Sequence, residues 1–100
     1  MVGFVPEGAN GILKLRLARR EGGALIYVGR VGTGWDHKTA AAIRRALEPL
    51  ARPMSSLTAP VKKRDTTWVE PRFDAEITYS EVTNDGMVRQ PSFKGLLRLR

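Results

Sequence analysis

The 100 residues contain no cysteine and only one histidine, His37. That removes disulfide staples, thiolate-bound zinc and thiol catalysis, and it fits a reducing compartment. A lone histidine cannot assemble a zinc site without partners, and directly after a helix-capping Asp36 it reads as a solvated first-turn side chain. No metal site is expected. Ser55 and Ser56 lack a Gly-x-Ser-x-Gly setting and a histidine and acid partnership, so nucleophilic catalysis has no support. Apolar runs are short as well. Met1 to Val5 is interrupted by Pro6-Glu7, which leaves neither a signal peptide nor a membrane span. The expectation is a soluble, cytoplasmic protein without membrane contact. Acidic residues are the scarce charge, 10 Asp and Glu against 17 Lys and Arg, for a formal net charge of +7. Such an excess suits a polyanion partner, although basic domains without one are common. No internal repeat or low-complexity tract divides the chain, and its length fits a single domain over residues 1–100, expected as a monomer.

What is present is an alternating pattern broken by one helical stretch. Ile12 to Arg20 and Ala24 to Val31 read as strands joined at Glu21-Gly22-Gly23, with Leu13, Leu15 and Leu17 on one face and Lys14 and Arg16 on the wet one. Phe73, Ala75, Ile77 and Tyr79 alternate with polar residues in a later strand. Val82 falls off that parity, before a turn at Asn84-Asp85-Gly86 from which Met87 to Phe93 returns as the hairpin partner. Between the hairpins, Asp36 caps a helix whose Ala40, Ile43, Leu47 and Leu50 form an apolar stripe, and Pro49 ends it near Glu48. Arg52 to Thr67 has no period and is assigned to a long loop. With Val2 to Val5 as a first strand, the order is that of an all-β, five-stranded Greek-key oligonucleotide-binding barrel with one inserted α-helix at about residues 36–48.

Several residues carry two readings. Arg30, among small residues at a strand end, reaches either a phosphate or a carboxylate of Glu70, Asp74 or Glu76. Lys62, Lys63 and Arg64 are the densest positive cluster, suited to phosphate contacts or simply a solvated charge run. Gly29, Gly32 and Gly34 do not precede a helix in a βαβ unit and are assigned to strand bending and close backbone approach. Trp68 is a base-stacking candidate or a plug at the barrel end.

Two segments then narrow the field. Trp68-Val69-Glu70-Pro71, leading into Arg72-Phe73-Asp74-Ala75-Glu76-Ile77, and Arg89-Gln90-Pro91-Ser92-Phe93-Lys94-Gly95-Leu96 resemble the signature of the C-terminal barrel of ATP-dependent DNA ligases. The resemblance is closest to the bacterial ligase D proteins of non-homologous end joining. Tyr27-Val28-Gly29-Arg30-Val31-Gly32-Thr33-Gly34-Trp35 is similar to that family's Tyr-x-Gly-Arg-Val-Gly-Thr-Gly-Phe stretch, and the likeness runs from about Val2 to Leu96. It implies a DNA-repair domain that closes on a nucleotidyltransferase domain during lysine adenylylation and then grips duplex DNA near a nick. ATP and Mg2+ belong to the complete ligase, and no cofactor is expected in this domain. The residues expected to contact DNA phosphates are Arg30, Lys62, Lys63, Arg64, Arg72, Arg89 and Lys94, with Glu76 orienting an arginine such as Arg30 or Arg89. The terminal motif departs from the family at Leu97-Arg98-Leu99-Arg100, where Arg98 and Arg100 substitute as ATP-phosphate contacts only after a one-residue slip.

The family's catalytic Lys-x-Asp-Gly is not matched. Lys63-Arg64-Asp65-Thr66 lacks the glycine and lies in the loop before Trp68. The chain alone is therefore expected not to be an enzyme and to have no catalytic residue. The rival readings are a stand-alone single-strand binder, favoured if Trp35 and Tyr79 are exposed beside the basic residues, and a non-functional ligase remnant. Incubated with ATP and magnesium, the isolated chain should form no covalent AMP adduct. A stoichiometric gain in intact mass equal to AMP is the result that would overturn this.

Overall fold

Alternation and a glycine turn set the first third of the chain. In the structure, a computed structural model that describes residues 1–58, 61 and 63–98, β1 (Gly3–Glu7), β2 (Gly11–Glu21) and β3 (Ala24–Val31) form an antiparallel meander. Gly22, at φ 60°, supplies the left-handed residue of the β2–β3 turn. One register slips. Val5 pairs with Lys14 and Pro6 with Ile12, so Leu13 is the extra residue of a bulge. Strict alternation puts Leu13 inside with Leu15 and Leu17; the bulge turns it out to 45 % exposure and brings Ile12 in.

Asp36 starts α1 (His37–Leu47) as the spacing predicts: the Thr39 amide donates to Asp36 Oδ1 at 2.7 Å. Ala40, Ile43 and Leu47 form its buried stripe. Pro49 falls in a 3-10 turn, Glu48–Leu50, where its missing amide proton costs least. Arg44 Nη1 donates to the Gly8 and Gly11 carbonyls, both at 2.9 Å, and so ties the helix to the β1–β2 turn.

The second half supplies β4 (Ala51–Arg52), β5 (Thr67–Val69), β6 (Phe73–Thr78), β7 (Glu81–Val82), β8 (Val88–Arg89) and β9 (Ser92–Arg98). The main sheet has the order β3-β2-β1-β5-β4, with β6-β9 and β7-β8 as separate ladders. β5 and β6, separated by Glu70-Pro71-Arg72, follow one another as the fourth strand of the barrel, and β9 is the fifth. Here the sequence expectation needs correction. β6 pairs with β9, from Phe73 opposite Arg98 to Thr78 opposite Ser92, whereas Val88 and Arg89 pair only with the short β7. Gln90 at φ 51° and Pro91, which has no amide proton, break the ladder between the two. A further bulge leaves Lys94 unpaired between the Glu76–Gly95 and Ile77–Phe93 pairs.

The core gathers Phe4, Ile12, Leu15, Val31, Ile43, Leu47, Val69 and Phe93 between barrel and helix. Phe93 N–H donates to the Thr33 carbonyl at 2.9 Å, joining β9 to the end of β3. Trp35 packs edge-on against Phe93 with ring centroids 5.6 Å apart. Gly34, at φ 107°, lies so close that a Cβ there would sit 2.3 Å from the Phe93 carbonyl oxygen. The close backbone approach expected of these glycines is found at Gly34.

The opposite face of β2 departs from expectation at Arg16. It is only 3 % exposed, not on a wet face with Lys14. The segment before β5 covers it: Arg16 donates to Thr66 Oγ1 at 3.0 Å and Asp65 Oδ1 at 3.3 Å, and to the Tyr27 hydroxyl on β3 at 3.2 Å. Farther along, Thr58 N–H donates to the Leu25 carbonyl at 3.0 Å while its Oγ1 accepts from the Leu25 amide at 2.9 Å.

Three substitutions test these contacts. Gly34→Ala combines a left-handed φ with a backbone clash and should cost about 3 kcal/mol or more, roughly 10–20 °C in Tm. Gly22→Ala has the same kind of φ but no atom within 4 Å of the new Cβ, and should cost about 1 kcal/mol; equal thermal melts for the two would refute the close-approach argument. The Thr39 backbone hydrogen bond holds the Asp36 carboxyl below its ordinary value of 3.8. A depressed folded pKa stabilises above the unfolded value and loses that stability as pH falls. Asp36→Ala should therefore lower Tm at neutral pH, with the gap to the parent closing as pH falls below 3.8.

Candidate nucleic-acid interface

The bend that opens a groove on the barrel begins in β3. Leu17 pairs with Gly29 and Ala18 with Tyr27, so Val28 is an extra residue, and Gly29 takes φ 116° beside it. A Cβ at Gly29 would meet Val88 at 3.7 Å, which brings the β7–β8 hairpin close to the strand. The resulting groove, about 780 Å³ and open to solvent, is walled by Tyr27, Gly29 and Arg30 of β3, Val61 and Lys63, and Asp85, Met87, Val88 and Pro91 of the hairpin side.

Arg30 and Lys63 thus share one concavity and are both exposed. Among the described residues neither side chain makes a hydrogen bond or ion pair, so the pairing of Arg30 with Glu70, Asp74 or Glu76 is not found. Asp85 is the acid of the groove. The Thr83 hydroxyl donates to its carboxylate and holds its pKa below the ordinary value. Arg64 is exposed in the turn after Lys63, which the Thr66 N–H closes onto the Lys63 carbonyl at 3.1 Å. Lys62 lies outside the described residues.

The other expected contacts are dispersed. Arg72 pairs with Glu70 at 3.4 Å and borders a separate cavity of about 240 Å³ with Ala46, Pro49, Leu50 and Phe73. Arg89 Nη1 donates to Glu81 Oε1 at 2.8 Å across the β7–β8 pair. Lys94 is exposed at its bulge on β9. Glu76 is exposed and, among the described residues, pairs with no arginine; the carboxylate that orients Arg89 is Glu81. Arg89 belongs to the short hairpin and not to the strand opposite Glu76, which faces Gly95. The Arg98 side chain and Arg100 lie outside the described residues. Of the aromatic residues, Tyr79 is exposed, Trp35 is half-buried against Phe93, and Trp68 is half-buried in β5 beside Gly3. Trp35 and Tyr79 are therefore not both exposed, as the single-strand reading requires. Among the described residues no group of three or more His, Asp or Glu side chains is placed to hold a metal. No helix there is long and apolar enough to cross a membrane.

Sequence reasoning missed two members of this region, Arg16 and Tyr27. Tyr27 stood within the glycine-rich segment, which was a usable signal. Arg16 had none, because alternation does not reveal that a distant segment covers the second face of a sheet.

A five-strand barrel course with a helix after the third strand, closed by β9, is the oligonucleotide-binding class of fold. The family model of the ATP dependent DNA ligase C terminal region matches residues 8–98, and the chain belongs to that family. It is 43 % identical over 89 residues to the multifunctional non-homologous end joining protein LigD of Mycolicibacterium smegmatis, covering 86 % of this chain and 11 % of the relative. The LigD of Pseudomonas aeruginosa is 37 % identical over 75 residues, covering 72 % of this chain and 9 % of the relative. The chain thus spans about a tenth of the length of these curated relatives. Among solved structures, the ligase domain from M. tuberculosis LigD superposes with a TM-score of 0.85 at 36 % identity, over 95 % of this chain and 32 % of that one. A mycobacterial DNA ligase D complexed with ATP and MES gives 0.81 at 34 % identity, over 99 % and 34 %.

Proposed function

We propose that this domain is the DNA-gripping barrel of an ATP-dependent end-joining ligase, working in repair with a nucleotidyltransferase domain that carries the adenylylated lysine. Membership of the ligase C-terminal family supports the context. The observation that carries the DNA contact is the groove, in which Arg30 and Lys63 stand together without an acidic partner among the described residues. A phosphate-bearing backbone supplies what such cations lack, and contacts of this kind position DNA without reading its sequence. Arg64, next to Lys63, and Lys62 extend the contact along the backbone. Arg89 engages only by exchanging Glu81 for a phosphate; Arg72 makes the same exchange from Glu70, and Lys94 acts from β9. Glu76 takes no arginine among the described residues and serves to exclude a phosphate from its side of β6. ATP, with Mg2+, serves the complete ligase, where Arg98 and Arg100 are the groups of this chain that reach its phosphates. The domain works in the cytoplasm as one monomeric part of that enzyme.

The test is binding of short nicked duplexes across a salt series. Affinity should be weak, indifferent to sequence and steeply salt-dependent, with a log-log slope of roughly −4 to −5. Arg30→Ala and Lys63→Ala should each cost about 1.5–3 kcal/mol if they hold charged hydrogen bonds to phosphate. Arg45→Ala, exposed on α1 and away from the groove, should cost about 0.5 kcal/mol or less. A slope near zero, or equal losses for all three variants with unchanged melting temperatures, would leave only net charge and remove the groove from the mechanism.

A further inference from the structure

Burying an arginine is costly unless its guanidinium is matched by acceptors, so a buried arginine with every nitrogen engaged marks a place where something is being held. Arg16 is such a residue. It is 3 % exposed, and Nε, Nη1 and Nη2 donate to Thr66, Tyr27 and Asp65 respectively. Its acceptors fall into two groups. Tyr27 is part of the groove wall on β3, whereas Asp65 and Thr66 end the turn that carries Lys63 and Arg64. The guanidinium therefore bridges the rigid sheet and the basic turn, with Thr66 N–H closing that turn onto Lys63 and Thr66 Oγ1 also donating to Asp65 Oδ1 at 3.3 Å. A lysine at this position has a single nitrogen and no planar fork with which to span all three acceptors.

The geometry points to Arg16 as the positioning residue of the basic turn, fixing Lys63 on the same groove as Arg30 so that both meet one phosphate backbone. This rests on the DNA-gripping function proposed above. Arg16 itself touches no DNA. Partial desolvation pushes the Asp65 carboxyl up, but the Arg16 charge and hydrogen bonds from Thr66 and Arg16 outweigh it and hold the group below its ordinary value. An unpinned turn would still carry its charges, yet Lys63 would lose its fixed place, and ordering it on DNA would then cost conformational entropy.

The experiment has two arms on the full chain, using Arg16→Met and, because a buried replacement can fail to fold, Thr66→Val, which removes one acceptor with little change of shape. The first arm is limited trypsin digestion read by mass. Cleavage after Lys63 and Arg64 should speed up roughly tenfold in Arg16→Met and less in Thr66→Val, while cleavage after Arg45 within α1 stays at the parental rate. The second arm is nicked-duplex binding. Both variants should bind more weakly, with the salt slope of Arg16→Met shallower by about 1, and Lys63→Ala should cost much less affinity in the Arg16→Met background than in the parent. Arg16→Lys should fall between Arg16→Met and the parent in both arms. A merely structural role would lower melting temperature and leave the slope and the Lys63 effect unchanged, and that result overturns the proposal. Faster cleavage at the turn with unaltered DNA binding also overturns it, without touching the DNA-gripping reading. If the parent chain shows no salt-dependent binding, that reading fails, and the positioning role fails with it even where the cleavage arm confirms the pin.

Discussion

Barrel closure turns on the meeting of two backbones. β9 reaches the end of β3 where the Phe93 amide finds the Thr33 carbonyl, and this is possible only because residue 34 has no side chain to stand between them. The hydrogen bond itself contributes about 1 kcal/mol net. Its larger effect is to seat the Phe93 ring in the core beside Trp35, and burying an aromatic side chain of that size contributes about 2–3 kcal/mol. Two of the three segments that resemble ligase sequences, 27–35 and 89–96, are thus one physical unit. One brings the ring, and the other brings the space and the edge contact it needs.

Closure also decides how the charge is displayed. Many of the arginines are matched with carboxylates on their own side of the barrel: Arg19 with Glu21, Arg20 with Asp74, Arg72 with Glu70 and Arg89 with Glu81. Exposed pairs of this kind add little to stability, typically well under about 1 kcal/mol, but they mute the positive field locally. The groove beside β3 is different. Arg30 and Lys63 act together there, without an ion-pair partner among the described residues and opposed by an Asp85 already engaged by Thr83.

Much of the fold was legible because it is local. The Gly22 turn, the Asp36 cap, the helical stripe and the long strands all follow from neighbours in sequence, and they stand where the pattern puts them. What was not legible depends on distant parts of the chain. Leu13 turns outward because the register with β1, another strand, slips between Val5 and Pro6. The partner of β6 is β9 because Gln90 and Pro91 interrupt the nearer candidate. Arg16 looks like any wet-face residue until Tyr27, Asp65 and Thr66 close around it. The candidate site divides along the same line. Arg30 could be marked from its setting among small residues, but that Lys63 would join it and Arg72 would not is a property of the closed barrel.

Thr58 has an effect that reaches beyond the fold of a single chain. β3 is the outer strand of the main sheet, and the amide and carbonyl of Leu25 point away from β2 toward whatever lies beyond. Thr58 occupies both, the carbonyl through its amide and the amide through its hydroxyl. An incoming strand from another molecule must have these groups free to add itself to the sheet. By supplying a small side chain and one peptide group at that point, the chain closes this stretch of the edge to an added strand from another copy.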